Sequence, residues 1–233
     1  MLENFKTKLL ALVNSFSLAI QRKMQGTPRG PSYIYNLVVA RFLKPMYASL
    51  SDYISATFRG RVFLDVGCGT ASLIISILGK VRAYVIGLDV SKAMIEIAAG
   101  NILKHKVKEH VDLVVGDAHK LPFRSNSLGL IVSTGTLYNL RNIEEFFREC
   151  RRTLREEGKA VICELSHDIK PEELKEQSRK WRRPRRILKL AALMHGIPRT
   201  EYEAGFVKEA LEKSVRSYKV VFEGIVTVLK VRK

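Results

Sequence analysis

The sequence predicts an α/β protein: a mostly parallel sheet that ends in an antiparallel C-terminal hairpin strand, preceded by N-terminal helices. Two observations carry this. Short apolar runs alternate with helical patterns between about residues 60 and 167, the pattern of βαβ units. Two β-rich runs then close the chain across a turn too tight for a parallel crossover.

The elements follow in order. Residues 1–59 read as a helical cap. Lys6 and Lys8 precede the mostly apolar stretch from Leu9 to Ile20, but no small-residue cleavage site follows. Leu9, Leu12, Val13, Phe16 and Ile20 share one helical face, so this reads as a retained amphipathic helix. The run from Gly26 to Pro31 breaks it. A second helix runs from near Ser32 to about Phe58, bent or interrupted at Pro45, and carries Tyr33, Tyr35, Tyr47 and Tyr53.

Strands are expected at Val62–Val66, Ala83–Leu88, Val111–Val115, Leu128–Val132 and Ala160–Leu165, with helices over Ser91–Lys104 and Ile143–Arg155 between them. Residues 60–233 form the second domain, with a helical, strongly basic insertion at about 170–214 around Trp181. The last strands, Ser217–Phe222 and Gly224–Val231, meet at Glu223-Gly224, and the final strand is expected inserted at the sheet edge.

The chain has 233 residues with 40 Lys and Arg against 23 Asp and Glu, a net charge of +17. That excess points to nucleic acid, an anionic membrane surface or an anionic substrate, or to a basic solvated surface. Cys68, Cys150 and Cys163 match neither a disulfide framework nor a metal site, so no metal is expected. The expected setting is the reducing cytoplasm, with peripheral contact to a membrane through residues 6–23 and 179–189. No run is long enough to span one.

The chemistry concentrates where the first three strands end. Gly67 and Gly69 follow the first strand and let the backbone turn sharply and approach a ligand. The dinucleotide fingerprint needs a third glycine where this chain has Ser72. Asp65, just before the glycines, would repel a pyrophosphate but suits an ammonium group. S-adenosylmethionine (SAM) carries an ammonium and a sulfonium, and no phosphate. Asp89, 20 residues past Gly69, has the spacing of an acid that reaches ribose hydroxyls, with Val90 beside it. Asp117, next to Ala118, can accept from an adenine amino group, and Met94 can pack on the adenine face. Each acid alone also reads as a turn or cap residue. Three together on the carboxyl edge, where open α/β sheets bind ligands, read as a site.

These motifs resemble those of class I SAM-dependent methyltransferases, over roughly residues 60–167. The resemblance implies a Rossmann-like fold, SAM as cofactor and methyl transfer as activity. A closer resemblance is to the UbiE-type quinone C-methyltransferases. It rests on Leu140, Arg141 and Asn142, and on the segment from Arg152 through Leu154 and Gly158 to Glu164 and Ser166. The chain departs where that family has Pro-Gly, carrying Glu156 and Glu157. The family's N-terminal signature has only a faint echo at Tyr35, Asn36 and Leu37.

The resemblance implies a small lipophilic acceptor, such as a quinone precursor. Residues after strands four and five are the candidates for handling it: Tyr138 for stacking, Arg141 for an oxyanion and His167 as base. Asn139, Glu164 and Asp168 are near them in sequence. Two alternatives stand beside this reading. One is methylation of RNA or protein across the basic surface, although Ser133 to Thr136 holds no Asn-Pro-Pro-Tyr type motif. The other is a non-catalytic SAM-binding module.

Overall fold

A computed structural model describes residues 42–58, 60–166 and 168–233. The expected residues of the first helix, the break at 26–31, Tyr33, Tyr35 and His167 lie outside these. The first described helix, α1 (Lys44–Thr57), has Pro45 in its first turn. Pro45 therefore opens α1, where its missing N–H has no helical partner to lose.

Seven strands form one sheet: β1 (Val62–Val66), β2 (Tyr84–Asp89), β3 (Val111–Val115), β4 (Leu128–Thr134), β5 (Leu154–Leu165), β6 (Ser217–Glu223) and β7 (Val226–Arg232), in the order β3-β2-β1-β4-β5-β7-β6. β1 to β5 are parallel, and β7 runs antiparallel to both β5 and β6. The last strand is thus inserted one place in, and β6 forms the edge. The turn is Gly224-Ile225, one residue later than expected, with Gly224 at φ +59°.

Between the strands lie α2 (Ser72–Leu78), α3 (Lys92–Lys104) and α4 (Ile143–Thr153). Four further helices precede the hairpin: α5 (Pro171–Trp181), α6 (Arg185–His195), α7 (Arg199–Glu203) and α8 (Phe206–Ser214). Two apolar cores sandwich the sheet. One packs α1, α2 and α3 with Trp181 against Phe63, Val85 and Val161. The other packs α4 and α8 against Leu64, Ile131 and Leu229.

β5 starts six residues earlier than the sequence pattern indicates. Leu154 ends α4 in an extended conformation and pairs with Leu128, after which the register shifts to pair Leu130 with Lys159. The polar residues Arg155 to Glu157 fill this irregularity and hide the strand. Gly158 lies against the carbonyls of Arg155 and Leu128, leaving no room for a Cβ.

Candidate cofactor site

The carboxyl ends of β1, β2 and β3 bring the three predicted acids to one edge. The N–H groups of Gly67 and Cys68 both donate to the Leu88 carbonyl, at 2.7 and 3.0 Å, folding the glycine loop back beneath β2. Gly67 sits at φ +71°, and a side chain there would run into Thr136 Oγ1. Glycine is therefore required twice over, by conformation and by the approach of the β4 loop.

Asp65 is 1% exposed, and neither carboxylate oxygen accepts a hydrogen bond among the described residues. Burial, reinforced by nearby Asp89, pushes its pKa up to about 8. A buried, unpaired carboxyl is costly, and an arriving cation removes the cost.

Asp89 is better provided. Its Oδ2 accepts from the Gly69 N–H at 2.9 Å and its Oδ1 from the Ser91 N–H at 2.8 Å. Each oxygen keeps a second lone pair for a ligand hydroxyl. Burial raises its pKa against the pull of these two bonds. Met94 follows on α3 and is buried without joining either apolar core, while Val90 is 39% exposed beside Asp89.

Asp117 has a partner that sequence reasoning did not single out. His119 Nδ1 lies 2.6 Å from Asp117 Oδ1, and His119 Nε2 accepts the Asn142 N–H at 3.2 Å. With Nε2 accepting, Nδ1 carries a hydrogen and donates to Asp117. Partial burial acts to raise the Asp117 pKa, but the His119 bonds and Arg141 outweigh it and hold the acid below its ordinary value. Arg141 Nη2 lies 4.0 Å from Asp117 Oδ2, so this predicted catalytic residue stands against a predicted cofactor residue. Ala118 is buried in the second core.

The β4 loop supplies the other candidates. Tyr138 is buried, and its hydroxyl lies 2.7 Å from His195 Nδ1, with the two rings edge to face. Burial lowers the His195 pKa, which keeps the imidazole neutral near pH 7. His195 carried no signal in the sequence: α6 delivers it from 57 residues away. Asp168 accepts the N–H groups of Arg199 and Thr200, and so caps α7.

Glu164, at the end of β5, is fully buried. Its Oε1 accepts the N–H groups of Thr136 and Leu137 at 2.8 and 2.9 Å, pinning the β4 loop against the glycine turn. Burial pushes its pKa up to about 8, so it is mostly protonated at pH 7. Glu164→Gln should therefore cost less than about 1 kcal/mol at pH 7, because the amide carbonyl keeps both bonds. Glu164→Ala leaves two buried donors and a cavity, and should cost roughly 2–4 kcal/mol in urea unfolding. Equal losses would show that the two bonds contribute nothing.

The segment from Arg152 to Ser166 acts on the scaffold. Arg152 donates to the Leu121 and Phe123 carbonyls while paired with Glu149, tying the β3–β4 connection to α4. Ser166 Oγ meets Thr227 Oγ1 on β7 at 2.5 Å. Within Leu140-Arg141-Asn142, Leu140 is core and Asn142 caps α4 through the Glu145 N–H. Only Arg141 reaches the edge with the acids.

Known proteins share parts of this sequence and its fold. Residues 64–162 match the family model described as "Methyltransferase domain". Demethylmenaquinone methyltransferase of Lactobacillus johnsonii is 31% identical over 114 residues, covering 48% of this chain and 47% of that protein. The protein of that name from Staphylococcus haemolyticus is 37% identical over 117 residues, covering 48% and 46%. The match thus spans about half the length of these relatives.

Among solved structures, a Methanococcus maripaludis protein assigned to the SAM-dependent methyltransferases superposes with a TM-score of 0.70 at 22% identity, covering 88% of this chain and 93% of the other. A SAM-dependent methyltransferase from Aquifex aeolicus gives 0.64 at 19% identity, covering 86% and 97%. A 4+2 cyclase also shares the fold, with a TM-score of 0.54 at 20% identity and 81% of each chain covered. Fold alone therefore does not fix the reaction. The family match identifies residues 64–162 as a methyltransferase domain.

Proposed function

We propose that this chain transfers a methyl group from SAM to a small lipophilic acceptor, namely to a ring carbon of a quinol related to the demethylmenaquinones. One observation carries the cofactor half: the buried Asp65 carboxyl, with both oxygens unpartnered among the described residues, fits the SAM ammonium group. Asp89 would take the ribose hydroxyls, Asp117 the adenine amino group, and Met94 the adenine face.

Bound SAM would supply an activated methyl on its sulfonium, so the protein has to align the acceptor, exclude water and manage one proton. Tyr138 would stack against the acceptor ring. Arg141 would stabilise the ring oxygen as it becomes anionic. His167, outside the described residues, keeps its role as candidate base on its sequence position alone. The neutral His195, hydrogen-bonded to the Tyr138 hydroxyl, is a second group able to take a proton. The similarity to demethylmenaquinone methyltransferases supports the acceptor class.

Calorimetry tests the cofactor half. S-adenosylhomocysteine and SAM should bind and NAD should not; NAD binding alone would overturn it. Radiolabelled SAM with demethylmenaquinol, RNA and total protein as separate acceptors tests the other half. Label in the quinol fraction is expected, and label confined to RNA or protein would replace the acceptor proposed here.

Membrane contact belongs to the same reading. Residues 6–23 lie outside the described ones. In the 179–189 stretch Trp181 and Leu188 turn inward, while α6 exposes Arg185, Arg186, Ile187, Lys189 and Leu190. A basic face with apolar residues among the charges suits an anionic bilayer. Among the described residues no helix is long and apolar enough to cross one. Sedimentation with anionic vesicles, reversed by salt, is the expected result; equal sedimentation with neutral vesicles would count against it.

A further inference from the structure

The C-terminal hairpin has two unlike faces. Tyr218, Val220 and Phe222 of β6 pack into the second core. On the opposite face the register sets Lys219 directly across from Lys230, and Lys159 of β5 across from Arg232. Like charges directly opposed across strands destabilise a sheet, so this arrangement costs stability unless an anion relieves it.

The same face continues into a cleft between α1, α5 and the hairpin, with a volume of about 90 Å³. Its walls are mainly apolar, with Met46, Leu50, Trp181, Val226 and Val228 beside the polar Ser49 and Gln177. Lys180 and Lys230 stand at its rim with one carboxylate, Glu223. The Tyr53 ring, also in the lining, holds Lys230 Nζ at 4.3 Å and Lys159 Nζ at 5.4 Å. Among the described residues none of Lys159, Lys180 and Lys230 has a carboxylate within ion-pair distance. The cleft shares no residue with the acids of the cofactor edge.

We propose that this cleft binds an anionic amphiphile, with its carboxylate or phosphate head at Lys180 and Lys230 and its apolar body against Trp181, Leu50 and Val228. The rim provides two ammonium groups against one carboxylate, which favours an anion. Behind the rim the lining is mostly apolar, with Gln177 and Ser49 as its polar members, and this favours an apolar body behind that anion. A bare phosphate would leave the walls wet, and a neutral alcohol would leave the rim ammonium groups without an anion.

Trp181 is the chain's single tryptophan, so its emission reports on this cleft alone. The full chain is titrated with dodecyl phosphate below its micellar concentration, and with inorganic phosphate and dodecanol separately. Dodecyl phosphate should give a saturable emission change, inorganic phosphate none, and dodecanol should bind at least about tenfold more weakly. Lys180→Glu with Lys230→Glu should weaken dodecyl phosphate by about tenfold or more, since two attractive charges become repulsive. Lys180 is exposed on α5, so Lys180→Glu alone, checked by an unchanged thermal melt, gives a smaller loss in the same direction.

Equal affinity for dodecanol and dodecyl phosphate, no emission change with dodecyl phosphate, or full affinity in both variants would overturn the proposal. Phosphatidylglycerol vesicles separate the sources. An emission change on vesicles that the double variant loses supports a lipid headgroup, and a change with monomeric amphiphile alone supports a free ligand.

Discussion

Asp65→Asn should weaken SAM binding by about a hundredfold or more and, at the same time, make the protein harder to unfold above pH 8. Both effects come from one carboxyl that is buried, unpartnered among the described residues and pushed up to a pKa of about 8. An unfolded aspartate titrates near 3.9. The folded state therefore holds a proton that the unfolded chain has lost, across the interval from about pH 4 to 8. Stability contributed by this group is fully present below the unfolded pKa. It declines as pH rises through that interval, by up to about 1.4 kcal/mol per unit, and is lost above the folded pKa. Asparagine does not titrate, so the variant escapes the loss. It should match the parent near pH 4 and exceed it at pH 9 by up to about 5 kcal/mol in urea unfolding.

The cofactor reverses the balance. An ammonium beside Asp65 favours the ionised acid, so binding near pH 7 should release close to one proton. The release is visible in calorimetry as a dependence of heat on the buffer's ionisation enthalpy. SAM affinity should accordingly rise with pH up to about 8 and then level off. Asp65→Asn loses the charge pair and should weaken SAM by about a hundredfold or more, the scale for a buried, hydrogen-bonded charge. A variant that keeps SAM affinity within tenfold, or binding without proton release, would remove Asp65 from the cofactor site.

The legible parts of this molecule are those whose signal is local. β1 and β3 fall where their apolar runs predicted, and α3, expected from Ser91, starts at Lys92 with Ser91 as its cap through the Met94 N–H. The three acids were legible for the same reason: each follows its strand directly, and parallel strands all end at one edge. Contacts made across the fold left no such trace. His119 reads as an ordinary loop residue until Asn142 is brought to its Nε2. His195 becomes relevant only when α6 sets it on Tyr138. The first half of β5 was hidden because an irregular pairing tolerates the charged run Arg155 to Glu157, which a uniform strand would not. The segment from Arg152 to Ser166 resembles that of the quinone methyltransferases as a pattern, yet its side chains tie the scaffold together. Its weight as evidence for a particular acceptor is correspondingly small, and that weight shifts to Arg141.

Arg141→Ala should lower turnover on the proposed quinol acceptor by roughly two orders of magnitude, the usual loss when one donor to a developing oxyanion is removed. Its side chain is half exposed and 4.0 Å from Asp117, on the edge that carries the acids. From sequence alone, no effect on SAM would be expected, because the acids sit on other strands. The contact with Asp117 changes that to a small loss, since exposed charge pairs contribute at most about 1 kcal/mol. SAM affinity should fall by less than about fivefold while turnover falls about a hundredfold, and it is this disparity that identifies a group acting on the acceptor. Arg141→Lys keeps the charge but not the planar fork, and should recover only part of the rate. A variant whose turnover and SAM affinity fall together would make Arg141 a cofactor residue acting through Asp117. A fully active Arg141→Ala would leave the acceptor to be held by Tyr138 and its His195 partner, and the oxyanion assignment would be wrong.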